Sequence, residues 1–152
     1  MSSPPFTLSS PAFDAASAIP ARFTCDGADV SPALAWAGAP AGTESLVLVV
    51  HDPDARDFVH WVAYDIDGAP DGTLPEAIAR SAASPKQGRN GFGNDGYGGP
   101  CPPSGTHHYV FRLSALDGPL GLAAGRTAAE VESAMRGHVL ATAELTGTYK
   151  RR

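Results

Sequence analysis

Three clusters of residues in this chain could carry chemistry. The first is His51-Asp52-Pro53-Asp54, followed shortly by His60-Trp61. Two carboxylates separated by a stiff proline can orient a neighbouring imidazole, or can form an Asx-type turn that accepts backbone N–H groups. The second is Gly96-Tyr-Gly-Gly-Pro-Cys-Pro-Pro-Ser-Gly105, which leads into His107-His-Tyr-Val-Phe111. Glycines let backbone amides approach a ligand, and successive amides can form an anion-binding concavity. No Gly-Lys-[Ser/Thr] follows, so this is not a P-loop. The same composition also suits a rigid surface loop without a ligand. The third cluster is the histidine set. His60 and His107 each open an apolar run, and His107 lies on the same strand face as Tyr109. His51 and His138 suit ordinary half-buried histidines.

Nucleophilic and metal chemistry have thinner support. There is no Gly-x-Ser-x-Gly elbow, and Ser104 is the one serine within the second cluster. A Cys101 thiolate paired with His107 is a conceivable nucleophile, although the flanking prolines favour a structural thiol. Asp52, His60 and His107 match no standard metal-ligand spacing and would need the fold to assemble them. Cys25 and Cys101 each lack a nearby Cys or His at zinc-ligand spacing.

These groups must be positioned by strands. Ser45 to Val50 is a short, β-branched apolar run and reads as a buried strand. His60 to Ile66 reads as another, with His60, Val62, Tyr64 and Ile66 on one face and Trp61, Ala63 and Asp65 on the other. His107 to Leu116 is a third, with His107, Tyr109, Phe111 and Leu113 on one face and His108, Val110, Arg112 and Ser114 on the other. Phe6 to Ser9 and Arg22 to Cys25 suit short strands, and Ala141 to Tyr149 a last one. Residues 67–106 are crowded with Gly, Pro, Asn and Asp, and a long irregular stretch in a compact domain is often functional. Thr127-Ala-Ala-Glu130 spells a capping box, after which Val131, Ala134, Met135 and His138 recur at helical spacing.

The 152 residues suit one domain, 1–152. With 43% hydrophobic residues the chain is not a disordered one, and 17 Gly with 14 Pro argue against a helix bundle. A net charge of -5 with no basic run excludes nucleic acid and anionic membrane surfaces as natural partners. No segment approaches the ~18 apolar residues of a membrane helix, so no membrane insertion is expected. Met1-Ser-Ser-Pro-Pro-Phe-Thr7 has neither a basic nor an apolar leader region, so a cytoplasmic protein with Cys25 and Cys101 reduced is expected.

At these residues the sequence resembles the phosphatidylethanolamine-binding protein family, closest to its bacterial Raf-kinase-inhibitor-like branch. Phe23-Thr-Cys-Asp-Gly27 with Ser31-Pro-Ala-Leu-Ala-Trp36 is similar to the bacterial opening motif. Asp52-Pro-Asp-Ala55 with His60-Trp61, and Tyr97-Gly-Gly-Pro-Cys-Pro-Pro103 with His107-His-Tyr-Val-Phe111, resemble the two family signatures. Gly147-Thr-Tyr149 resembles the closing motif. The resemblance implies an all-β architecture: an antiparallel β-sandwich with a small C-terminal helix. It also implies a non-enzymatic binding protein with a shallow pocket for a phosphate-like anion or phospho-head group, and extends to regulation of kinase-type signalling. Asp52, His60, His107 and Tyr109 would line the pocket, and backbone around Gly99 and Cys101 would donate to the anion. No cofactor is implied. A protein partner and a homodimer fit the same family. The resemblance places Cys25 and Cys101 near the pocket floor, close enough to oxidise. Two other readings stay open: a hydrolase using the His/Asp set with water or Cys101, and a protein-interaction scaffold with a vestigial pocket. Two features depart from the family pattern. Arg56 stands where a proline usually follows Ala55, in a loop about two residues short, which leaves the peptide geometry there open. His108 stands for the usual Arg and is expected to face away from the pocket.

Overall fold

The computed structural model describes residues 5–151; residues 1–4, with which the leader reading begins, lie outside the described part. In chain order the elements are β1 (Thr7–Ser9), β2 (Leu34–Ala37), β3 (Ser45–Asp52), β4 (Phe58–Asp67), β5 (Gly72–Leu74), β6 (Lys86–Gln87), β7 (His107–Leu116), α1 (Ala128–Met135) and β8 (Val139–Tyr149). They form two antiparallel sheets. The smaller has the order β1-β2-β5, the larger β6-β4-β3-β7-β8. The architecture is therefore a β-sandwich with one short helix.

The core explains why β3 reads as a continuous apolar run. Leu46, Leu48 and Val50 join Trp61, Phe111 and Leu113 in facing Leu34, Trp36 and Leu74 of the smaller sheet. Val47 and Val49 point the other way and, with Val62 and Tyr64, receive Val131 and Met135 of α1. A strand buried on both faces cannot alternate with polar residues. The helix begins as its capping box dictates: Thr127 accepts from the Glu130 amide, and Glu130 accepts from the Thr127 amide. It stops at Met135, so His138 lies beyond it and pairs with Asp117 at 2.9 Å.

Strict alternation along β4 fails at two places. Pairing with β3 slips between Leu46 and Leu48 and again between Val50 and His51, so β4 carries two bulges. At the first, Asp65 adopts φ 53° and Ile66 turns to the Trp61 side. At the second, Val50 pairs Trp61 while His51 pairs Val59, leaving His60 as the extra residue. His60 therefore does not share the face of Val62 and Tyr64, as alternation predicts. It leaves that face and turns toward Tyr109.

Other local readings also change. Residues 22–25 form no strand: Ala21–Phe23 is a 3-10 turn, tightened by Thr24 donating from both its amide and its hydroxyl to the Ala21 carbonyl. β2, unrecognised from the sequence, is the middle strand of the smaller sheet. The stretch 67–106 contains β5 and β6, and residues 88–98 run in part beside β4. Amides of Gly88, Gly91 and Gly98 donate to the carbonyls of Val62, Val59 and His60.

Candidate functional site

Asp52 ends β3, His60 sits at the bulge in β4, and His107 and Tyr109 open β7. Together they line one cavity of about 180 Å³ at the rim of the larger sheet, and Cys101 joins them there.

Asp52 is buried, and both its oxygens are committed. Oδ1 accepts from the Asp54 amide at 2.8 Å, so the Asx turn forms. Oδ2 accepts from His107 Nδ1 at 2.6 Å. The turn and the histidine-orienting role thus coexist in one carboxylate. With its Nδ1–H given to Asp52, His107 has only Nε2 left for a ligand. His60 is fixed in the same sense by a different group. Its Nδ1 lies 2.7 Å from the Gly98 carbonyl, which can only accept, so the proton is on Nδ1 and Nε2 is the remaining ring nitrogen. Burial pushes the His60 pKa below its ordinary value, outweighing the Gly98 carbonyl and Asp52, which favour the cation. Burial, and next the charge of Asp52, push the Tyr109 pKa up, so its hydroxyl keeps its proton and remains a donor.

The glycine loop does not act as the sequence reading expected. Gly99 is absent from the cavity lining, and its amide donates to Asp29 Oδ1 at 2.8 Å. A Cβ there would lie 2.3 Å from the Phe23 carbonyl oxygen, so glycine is required for packing against residues 23–29 rather than for approach to an anion. Gly98 is likewise committed, its amide to the His60 carbonyl and its carbonyl to the His60 ring. The loop builds the site by locking His60, and of the two loop positions expected to donate, Cys101 lines the cavity and Gly99 does not.

Cys25 and Cys101 are bonded to each other, with their Cα atoms 5.4 Å apart. This corrects the expectation of free thiols. Sequence separation hid the pairing, but three contacts join the two segments independently of the bond. Tyr97 donates to the Phe23 carbonyl at 2.6 Å, the Cys25 amide to the Pro100 carbonyl at 3.1 Å, and Gly99 to Asp29. Cys101 reaches the cavity as a disulfide sulfur, with no thiolate to offer.

The shortened loop closes without an unusual peptide bond at Arg56; among the described residues the cis bond is Ser84–Pro85. Arg56 and Asp57 instead both take left-handed backbone, φ 55° and 58°. His108 lies on the face opposite His107, and its ring and amide both meet Asp54 Oδ2, at 2.8 and 2.7 Å. The paired carboxylates thus hold the paired histidines, Asp52 with His107 inside and Asp54 with His108 outside. His51 points to the helix side, 3.8 Å from Asp57.

Sequence reasoning missed Phe58, Phe92 and the Pro102–Pro103 wall, which also line the cavity. Phe92 stands in the irregular stretch, where no periodicity marks it. Among the described residues, no group of three or more His, Cys, Asp and Glu is arranged to hold a metal ion, and no helix is long and apolar enough to cross a membrane.

Comparison with known proteins places this chain in a family. A UPF0098 protein of Methanothermobacter thermautotrophicus is 46% identical over 150 residues, covering 95% of this chain and 98% of its own. A Mycobacterium tuberculosis protein whose name, LppC, designates it a candidate lipoprotein is 39% identical, covering 96% of this chain and 73% of its own. Neither name states an enzymatic activity. The crystal structure of the phosphatidylethanolamine-binding protein homolog CT736 from Chlamydia trachomatis superposes with a TM-score of 0.89 at 37% identity, over 97% of this chain and 98% of that one. The family profile described as phosphatidylethanolamine-binding protein spans residues 9–150, from β1 through the Asp52–His107 rim to the end of β8, and the chain belongs to that family.

Proposed function

We infer that the chain is a non-enzymatic binding protein whose cavity takes a phosphate-like anion. One observation carries this reading: Asp52 and Gly98 each fix the Nδ1 of one histidine, which leaves two Nε2 atoms and the Tyr109 hydroxyl for one small cavity. A tetrahedral oxyanion has several acceptor oxygens: the Tyr109 hydroxyl can donate to one of them, and an Nε2 donates, with charge-assisted strength, when its ring is protonated. No lysine or arginine lines the cavity, so its positive charge depends on imidazole protonation.

The hydrolase reading loses Cys101 as a nucleophile, since that sulfur is bonded to Cys25, and keeps only a water activated by the His/Asp set. Regulation of kinase-type signalling follows from the same chemistry where the anion is a phosphoryl group on a protein. The disulfide, together with the name of the mycobacterial relative, favours an oxidising compartment over the cytoplasm expected from the sequence.

The test is a phosphate titration followed by NMR on wild type, His107→Ala and His108→Ala. A charge-assisted hydrogen bond contributes ~1.5–3 kcal/mol, so His107→Ala should weaken binding roughly tenfold or more. His108, on the opposite face, should matter less than about threefold, through screened charge alone. A larger loss for His108→Ala, or no saturable binding by wild type, refutes the assignment.

A further inference from the structure

A sheet edge is a row of unpaired backbone donors and acceptors, and folded proteins keep such edges short or covered. Three edges of this fold are short: β1 and β5 have three residues each and β6 has two. β8 differs, with 11 residues at the edge of the larger sheet. The chain covers the C-terminal part of β8 with its own residues 16–19. Ala16 donates to the Thr146 carbonyl, Ile19 donates to the Thr148 carbonyl, and the Thr148 amide donates to the Ser17 carbonyl.

Those bonds also fix which groups of β8 face outward. Backbone groups alternate in direction along a strand, so with Thr146 and Thr148 turned away from β7, Thr142 and Glu144 are turned away as well. Among the described residues nothing pairs with their backbone on that side. Residues 141–145 contain neither lysine nor proline, the residues that commonly blunt an edge. Just before them the ladder with β7 slips: Leu116 pairs Val139 and Ala115 pairs Ala141, leaving Leu140 as the extra residue of a bulge. Val139 and Leu140 are 44% and 45% exposed, and with Phe92 they are the large apolar side chains left exposed among the described residues. An open edge thus lies beside an apolar patch.

We propose that residues 141–145 of β8 pair antiparallel with the same residues of a second copy, joining the two larger sheets across a two-fold axis at Ala143. The backbone is self-complementary in this register. Thr142 of each copy meets Glu144 of the other, and each such pair exchanges both of its N–H···O bonds through the groups that face outward. The ends fit as well. Residues 16 and 17 block further pairing at one end, and the bulge at Leu140 ends regular pairing at the other. Charge favours a second copy over a charged strand from another protein. Glu144 is already held by Arg112 at 2.7 Å, so the two Glu144 side chains can approach each other, and this stretch offers no free charge to select an oppositely charged partner.

The strength follows from size. Five paired residues make a ladder ~17 Å long. Even with Val139 and Leu140 beside it, this contact falls below the ~800 Å² per partner of a standard interface, which puts the dimer in the small, weak class with a Kd of roughly 10–100 μM.

The experiment follows the full chain by sedimentation velocity and amide hydrogen exchange, from about tenfold below to about tenfold above that Kd. Wild type should pass from monomer to dimer, and the Thr142 and Glu144 amides should gain protection over the same range. Thr142→Pro removes an outward N–H and no bond to β7, so it should stay folded by circular dichroism. It deletes one bond from each of the two pairs and should weaken association roughly tenfold or more. Thr142→Asp sets two uncompensated carboxylates near the axis and should also weaken the dimer, less so at high salt. Thr73→Asp, exposed on the short edge β5, should leave association unchanged. Should Thr142→Pro fail to fold, Thr142→Asp decides. A wild type that stays monomeric throughout overturns the second copy as the occupant and leaves the edge to a strand of another protein. A dimer unaffected by a folded Thr142→Pro or by Thr142→Asp, or one that forms without protecting those two amides, also overturns the proposal. No outcome here depends on anion binding.

Discussion

Anion binding here should take up a proton, and His60 is the group that decides it. Its Nδ1–H is held by the Gly98 carbonyl at 2.7 Å, so a neutral ring turns a lone pair, not a donor, toward any anion in the cavity. Sulfate, which does not titrate in the working range, reports this cleanly. Donation from His60 to sulfate requires the second proton, and burial has already moved the pKa of that step below the ordinary 6.5. Each pH unit above the pKa costs 1.36 kcal/mol, so protonating His60 at pH 8 costs more than ~2 kcal/mol. That consumes most of the ~1.5–3 kcal/mol that a charged hydrogen bond returns. As the pH falls toward 6.5 this cost shrinks, and sulfate affinity should rise by up to ~30-fold over those 1.5 units, close to tenfold per unit. The rise continues until the pH reaches the pKa of ligand-free His60. The share of His60 is isolated with His60→Gln, whose amide donates at every pH. Calorimetric titrations from pH 8 to 5.5 should show a log-affinity slope steeper in wild type than in His60→Gln by about one proton. Identical slopes, or an affinity that falls on acidification, would refute the argument. The ligand-free protein should respond in the opposite sense. Because the folded-state pKa is depressed, the unfolded chain binds more protons between that value and 6.5. Stability therefore falls as the pH drops through this window, and sulfate should offset the loss.

The remaining predictions concern the frame around the site. The Cys25–Cys101 bond spans 76 residues, and loop-closure entropy assigns such a link about 4 kcal/mol, so Cys25→Ser/Cys101→Ser should unfold at markedly lower denaturant while the oxidised wild type shows no free thiol. Arg56 sits at φ 55° and ψ 43°, where a Cβ is disfavoured, and Arg56→Gly should raise stability by about 1 kcal/mol in denaturant melts. Thr127→Ala breaks the capping box of α1 and should lower stability by about 1 kcal/mol, with a matching drop in thermal midpoint.

Local patterns in the chain determine much of this protein. The buried strand β3, the strand β7 with His107, Tyr109, Phe111 and Leu113 on its inner face, and the start of α1 all follow from periodicity and capping, which act over a few neighbouring residues. The motifs around Asp52, His60 and His107 likewise mark the rim where the cavity lies. What the chain alone could not supply depends on partners distant in sequence. A bulge in β4 turns His60 off the face that alternation assigns it, and a bulge is a property of a strand pair, invisible in either strand alone. Gly99 has the composition of an anion loop, but its amide belongs to Asp29, 70 residues away. Cys25 and Cys101 meet because Tyr97, Pro100 and Gly99 bring their segments together, and no spacing rule covers 76 residues. Phe92 is the clearest case. It lies in a turn without periodicity, and only packing on Gly98, Phe58 and His60 makes it part of the cavity. Periodicity reports which face of an element is buried, whereas a site at a sheet's rim is assembled by loops whose conformation is set by contacts across the fold.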